Sequence, residues 1–165
     1  MTDQNNVDHF ELGNAAMHDN RYAVAVDEFR EAVKINPDFA EAYNNLGLAL
    51  FYLSRFDDAV NEYRAALRIA PDFALAHANL GLALLNKDLI DESIAELEEA
   101  VDLNPELAEA YYNLGIAYNK KGLTDKAIDA YEGFIQHAGE NYRNYVEGVQ
   151  KIVAQLKGQA GKSVN

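Results

Sequence analysis

The chain has 165 residues, a formal net charge of −13 and no cysteine or tryptophan. At 49 % hydrophobic and 25 % charged, it has the profile of a soluble globular chain long enough for one domain with a sizeable core. The acidic balance argues against a nucleic-acid or anionic-lipid surface, which needs a basic stripe, and without thiols there is no disulfide, cysteine–zinc site or thiol catalysis.

The N-terminus, MTDQNNVDHF, has neither a basic n-region nor an apolar h-region, so no secretory signal is expected. Charged or amide residues interrupt every long apolar run, so no membrane span is expected either. A cytoplasmic location is the default expectation.

Starting at Asn6, the chain divides into units 6–39, 40–73, 74–107 and 108–141. Each unit reads as two helices. In the second unit, Tyr43, Leu46, Gly47 and Leu50 share one face of a first helix. Ala59, Tyr63, Ala66 and Leu67 repeat that spacing on a second helix. Aligning the units gives columns: Leu12, Leu46, Leu80, Leu114; Gly13, Gly47, Gly81, Gly115; Ala25, Ala59, Ser93, Ala127; Phe29, Tyr63, Leu97, Tyr131; Ala32, Ala66, Ala100, Phe134.

Between the two helices stand Asn20, Ser54, Asp88 and Gly122, suited to a helix C-terminal turn. Pro37, Pro71 and Pro105 close the first three units and disfavour continuation of the second helix. A glycine inside a helix costs about 1 kcal/mol relative to alanine. Four in register imply close helix–helix approach, expected here against the small Ala25 column.

After the fourth unit, Tyr142, Tyr145, Val146, Val149, Ile152, Val153 and Leu156 form one apolar stripe. Arg143, Glu147, Gln150, Lys151, Gln155 and Lys157 occupy the other side. Such a helix, over 142–157, fits the end of a stacked array. Residues 158–165 are expected to be a disordered tail.

The period of thirty-four, the Leu-Gly pair, the small residues, the aromatic and the proline resemble the tetratricopeptide repeat over residues 6–141. The chain departs from that pattern at His9 and His77, which replace an aromatic, and at Phe134 and Gly139 in the last unit. The resemblance implies an all-α, right-handed superhelical solenoid of four helix pairs plus a C-terminal capping helix, forming a single domain over 6–157. It also implies that the first helices line a concave groove.

A second stripe on each first helix would then form the groove floor. It runs Val7, Glu11, Asn14, His18; Glu41, Asn45, Leu48, Tyr52; Leu75, Asn79, Leu82, Asn86; Glu109, Asn113, Ile116, Lys120. Asn45, Asn79 and Asn113 would form a ladder there. A side-chain amide offers both donor and acceptor to the backbone of an extended peptide. It serves equally well as a bond to a neighbouring helix, and the two roles are compatible.

Phe10, Met17, Leu48, Phe51, Tyr52, Leu82, Leu85, Tyr112 and Ile116 would add an apolar lining, some of it packed between repeats. Glu11, Glu41 and Glu109 either add negative charge near the groove or, as the favoured reading for any one of them, belong to a solvated face. The expected peptide ligands are Asn14, Asn45, Asn79, Asn113, Leu48, Tyr52, Leu82, Asn86, Tyr112 and Ile116.

The chaperone-tail binders of this family hold a C-terminal carboxylate with two asparagines and three cations. The matching positions here are Phe10, Asn14, Asn45, Leu75 and Asn79, so both amides are present and every cation is missing. A terminal carboxylate would be poorly paired, and that activity is not expected.

Nothing points to chemistry. The four histidines form no HxxxH pair, and His9 and His77 sit in an aromatic packing column. Gly161-Lys162-Ser163 lacks the first glycine of a phosphate loop, where Leu156 stands. The acidic run Asp88, Asp91, Glu92, Glu96, Glu98, Glu99, Asp102 lacks the glycine and alternation of a calcium loop, and reads as a solvated convex face, with a docking patch for a basic partner as the lesser alternative. No cofactor, metal or enzymatic activity is expected. The leading expectation is an adaptor that takes a partner's peptide segment, with apolar anchors and some basic residues, in its groove. The alternative is a self-assembling scaffold in which another copy fills the groove.

Overall fold

The structure, a computed structural model, describes residues 2–160 and the side chains of residues 8–159. Among the described residues the chain is helical throughout. Four helix pairs run in order: α1 (Thr2–His18) and α2 (Tyr22–Ile35), α3 (Ala40–Tyr52) and α4 (Phe56–Ile69), α5 (Ala74–Asn86) and α6 (Ile90–Leu103), α7 (Ala108–Lys121) and α8 (Thr124–His137). A 3₁₀ turn, Glu140–Tyr142, leads into α9 (Arg143–Ala160). Helix α9 runs past the expected boundary at 157, and the rest of the expected tail, 161–165, lies outside the described residues.

Each turn within a pair is built the same way. Asn20, Ser54, Asp88 and Gly122 take left-handed φ values of 58°, 59°, 60° and 78°. The following amide then reaches back to a carbonyl of the last helical turn. Arg21 N–H donates to Ala16 O at 2.8 Å, Arg55 to Leu50 at 2.9 Å, Leu89 to Leu84 at 3.0 Å and Leu123 to Tyr118 at 2.9 Å. This six-to-one closure satisfies carbonyls that the helix end leaves free. It also reverses the chain sharply enough to pack the second helix on the first.

The glycine column makes that packing close, but against a different column from the one expected. A Cβ at Gly47 would lie 2.7 Å from the ring of Tyr63, at Gly13 2.5 Å from Phe29, at Gly115 2.6 Å from Tyr131 and at Gly81 2.5 Å from Leu97. The space left by each glycine is therefore taken by a large buried side chain, one turn beyond the small Ala25, Ala59, Ser93 and Ala127 column. Those small residues are themselves fully buried. At Ser93 the hydroxyl donates to Gly81 O at 2.7 Å, which satisfies the polar atom that replaces alanine.

Within two pairs a histidine ties the helices together. His9 Nδ1 lies 2.7 Å from Glu28 Oε2, and His77 Nδ1 lies 2.7 Å from Glu96 Oε2. His77 Nε2 also meets Pro71 O at 2.9 Å. These contacts give both histidines a structural place between helices.

Neighbouring pairs stack through α2 on α3, α4 on α5 and α6 on α7, and α8 is covered by α9. Successive first helices also touch: α1 meets α3, α3 meets α5, and α5 meets α7. Successive second helices make no such contact among the described residues. The first helices thus form the crowded inner layer and the second helices the splayed outer layer, so the array curves around its first helices.

Ion pairs run from one repeat to the next. Lys87 pairs with Asp57, Lys121 with Asp91 at 2.7 Å, Lys120 with Asp88 at 3.0 Å, and Arg64 with Glu92 at 3.1 Å. Part of the acidic run is therefore answered by cations of adjacent repeats, although such exposed pairs contribute at most about 1 kcal/mol each.

The two ends of the array differ. Leu46, Leu80 and Leu114 are buried, whereas Leu12 in the same column is 54 % exposed. No helix of the described residues precedes α1 to cover it. At the other end Val149, Val153 and Leu156 of α9 are buried against α8, as the apolar stripe predicts. Tyr145 departs from that stripe and is 61 % exposed. None of the described helices is long and apolar enough to cross a membrane.

Candidate functional site: an apolar cavity on the inner face

The inner layer holds a cavity of about 420 Å³. Helix α3 contributes Leu48, Phe51 and Tyr52, and α5 contributes Leu75, Ala78, Asn79 and Leu82. Helix α7 contributes Glu109, Tyr112 and Asn113. Phe134 of α8 and Tyr142 and Tyr145, before and on α9, complete the wall. The lining is mostly apolar and aromatic, with two amides and one carboxylate.

Six of the expected ligand residues line this cavity: Leu48, Tyr52, Asn79, Leu82, Tyr112 and Asn113. Four do not. Asn86 lies exposed beyond it, with its amide donating to Leu82 O in its own helix at 2.9 Å. Ile116 packs against the core. Asn14 and Asn45 bind each other, Asn45 Nδ2 donating to Asn14 Oδ1 at 3.0 Å. Of the acidic positions, Glu109 is on the wall and Glu11 and Glu41 are not. Val7 lies outside the described side chains. Of the other expected lining residues, Phe51 is on the wall, Leu85 is buried between repeats, and Phe10 and Met17 pack against the core.

The asparagines form a relay rather than a row of free amides. Asn79 Nδ2 donates to Asn44 Oδ1 at 2.9 Å, Asn44 Nδ2 to Asn45 Oδ1 at 3.2 Å, and Asn45 onward to Asn14. The relay links α5, α3 and α1, so in these repeats the amides brace neighbouring helices. It depends on Asn44, which is 2 % exposed.

The relay stops at the next repeat. One period after Asn44 stands Ala78, and an alanine side chain accepts nothing. Asn113 is only 9 % exposed, lines the cavity, and has no side-chain hydrogen bond to protein among the described residues. A buried amide without a partner is costly, and native structures rarely contain one unless something else meets it. Ala78 also vacates volume: in its column stand Asn44 on one side and Tyr112 on the other. A single small residue thus removes the acceptor and opens the cavity beside it.

The aromatic wall is ordered by mutual contacts. Phe134 lies 5.4 Å from Tyr112 and 5.8 Å from Tyr142, centroid to centroid. Tyr142 lies 6.4 Å from Tyr145. Phe134 occupies the column that is alanine in the other three repeats, so the last repeat presents a large ring where they present a methyl group. The Tyr142 hydroxyl donates to Glu109 Oε1. Burial, that bond and the Glu109 charge push the Tyr142 phenol up to about 12.

Sequence reasoning missed Ala78 and Phe134 and the place of Tyr142 and Tyr145 on the cavity wall. They lie in a column that changes type at each repeat, on a second helix, and beyond the last full period. The break in the alanine column at Phe134 was the available signal. Among the described residues no group of three or more His, Asp or Glu is placed to hold a metal.

Sequence profiles of the tetratricopeptide repeat match residues 10–72 and 44–105, and further profiles of the same repeat match 90–122 and 109–140. A sequence comparison with curated proteins gives no match. Among solved structures, a crystal structure of MamA protein aligns with TM-score 0.79 at 24 % identity, over 98 % of this chain and 87 % of that one. YrrB, described as a TPR protein with an unusual peptide-binding site, aligns with TM-score 0.73 at 22 % identity, over 87 % and 73 %. The first TPR of Spaghetti (RPAP3), bound to the HSP90 peptide SRMEEVD, aligns with TM-score 0.71 at 21 % identity, over 72 % and 94 %. At these identities the likeness is one of fold.

Proposed function

This chain belongs to the tetratricopeptide repeat family, and on that premise we propose that it is a non-enzymatic adaptor that binds a peptide segment of a partner protein on its inner face. The observation that carries this reading is the apolar cavity framed by α3, α5 and α7. Binding pockets are typically concave and apolar with a few placed polar groups, and this wall has that character. Two of the fold neighbours, YrrB and the RPAP3 repeat domain, are described as peptide binders, which agrees with the reading.

In this proposal Leu48, Leu82, Tyr52 and Tyr112 supply contact area, and Asn79 and Asn113 supply polar anchoring. Asn14 and Asn45 act in bracing the repeats. Residues 6–157 work as one domain, in the cytoplasm. The wall contains no lysine, arginine or histidine, so it offers no cation to a C-terminal carboxylate, and an acidic tail is not the ligand we assign.

The test is a peptide display selection on the intact protein and on Leu48→Glu/Leu82→Glu. Both residues are half-buried, so charge there spoils the wall without removing a core residue. The reading predicts enrichment of a peptide family on the intact protein and loss of at least about tenfold in affinity on the variant. Equal enrichment on both would place binding elsewhere. Light scattering over a concentration series separates the competing reading, in which another copy fills the groove: association that the double variant abolishes would favour it.

A further inference from the structure

The identity of the groove's ligand can be narrowed from the chemistry of the wall. We propose, resting on the peptide-binding reading above, that the cavity selects a partner segment in which an arginine lies within two positions of an aromatic or branched apolar residue. The guanidinium pairs with Glu109 against Tyr142 and Tyr145, and a main-chain amide of the segment meets Asn113.

Charge complementarity sets the cation. Glu109 is the one carboxylate on the wall, no cation lines it, and the whole chain carries −13. Glu109 Oε1 takes the Tyr142 hydroxyl, while Oε2 has no protein partner among the described residues. A carboxylate oxygen has room for further donors, and a guanidinium supplies them in a planar fork. Tyr142, whose hydroxyl bonds Glu109, shares the cavity wall with the largely exposed Tyr145, the two rings meeting at an interplanar angle of 65°. Aromatic faces attract a guanidinium, which also stacks on them, whereas an ammonium does neither as well. Arginine is therefore favoured over lysine.

Spacing sets the rest. Glu109 and Asn113 are one turn apart on the same face of α7, about 6 Å along the axis. Two residues of an extended segment span about 6.6 Å. A segment with its arginine at Glu109 thus brings a peptide group from the next residue or two to Asn113. That amide is nine-tenths buried, faces the cavity and lacks a protein partner, so it can both donate to a carbonyl and accept from an N–H. Beyond it, the side chain of the apolar residue enters the space that Ala78 leaves open, between Leu82 and Tyr112.

The experiment uses blocked peptides of about twelve residues, glycine–serine flanked, with a central Arg-Ser-Phe, Gln-Ser-Phe, Glu-Ser-Phe or Arg-Ser-Ala. Each is titrated into the isotope-labelled full chain and into Glu109→Gln, which keeps an acceptor for Tyr142. Affinity and the side-chain amide resonance of Asn113 are followed by NMR. The expected result is that Arg-Ser-Phe binds about tenfold more tightly than Gln-Ser-Phe, that Glu-Ser-Phe and Arg-Ser-Ala are weaker still, and that the Asn113 resonance moves. In Glu109→Gln the arginine preference collapses. Equal binding of the four peptides, or an unchanged preference in Glu109→Gln, overturns the arginine assignment and leaves the groove reading standing. If no peptide moves any resonance of the inner face, the arginine assignment is overturned, and the display selection above decides the groove reading by itself.

Discussion

Asn79 hydrogen-bonds Asn44 at 2.9 Å across the second and third repeats, and one period later the acceptor's place is held by Ala78. The same first-helix asparagine is therefore a brace at one interface and an unpartnered amide at the next. The bracing amides tie α1, α3 and α5 together. The free one, Asn113, marks the wall of the cavity.

Two reciprocal substitutions test this relationship. Asn44→Ala strips Asn79 of its acceptor and Asn45 of its donor, and is expected to cost about 1–3 kcal/mol of unfolding free energy. Ala78→Asn supplies Asn113 with an acceptor and fills part of the cavity. It is expected to gain about 1 kcal/mol and to weaken peptide binding. Urea denaturation of both variants checks the stability changes. A destabilised Ala78→Asn would mean that the cavity does not admit the relay.

The glycine column predicts opposite signs for one substitution at two sites. Gly47→Ala sets a methyl group 2.7 Å from the ring of Tyr63, which is 1 % exposed and has nowhere to move. Overpacking of this kind costs about 1–3 kcal/mol, more than the helix propensity gained. Gly148 in α9 has nothing within 4 Å of where its Cβ would stand. Gly148→Ala is expected to stabilise by about 0.5–1 kcal/mol. Thermal unfolding of the pair reads the contrast directly, and melting points shifted in the same direction would contradict the packing argument.

Alkaline pH probes the aromatic packing. Burial first, then neighbouring Tyr112, pushes Tyr131 up to about 12, and Tyr142 lies at about 12 for the reasons given above. Tyr63 and Tyr118 are raised as well, chiefly by burial. A phenol whose folded value is raised favours the folded state while it stays neutral. That contribution is complete below the ordinary value of 10.0 and is lost as pH climbs from there towards about 12. Stability should therefore fall over that interval. Spectrophotometric titration should show these four of the ten tyrosines ionising late in the native protein and normally in denaturant. A single native transition at the ordinary value would contradict the burial.

The periodic parts of this structure were legible and the aperiodic ones were not. The left-handed turns at Asn20, Ser54, Asp88 and Gly122 follow from residue type at a fixed place in each unit. The inner stripe was legible for the same reason, and it led to Leu48, Asn79, Leu82 and Asn113. What escaped depended on differences between repeats. Asn44 stands in a column that holds Phe10, Ala78 and Tyr112 elsewhere, so it shows no pattern. The partner of each glycine was misplaced by one turn, because spacing alone does not say which residue of the opposing helix fills a gap. Tyr145 shares the spacing of the α9 packing stripe, yet it stands near the helix start, largely exposed, and lines the cavity.

The central claim is that ligands occupy the inner face, and site-directed photocrosslinking tests it most directly. A benzophenone side chain would replace Tyr112 on the inner wall, or Arg30 on the exposed surface of α2. Each protein would be irradiated with the peptide selected on the intact chain. The expected result is an adduct from position 112 and none from position 30. Adduct from position 30 alone would contradict it.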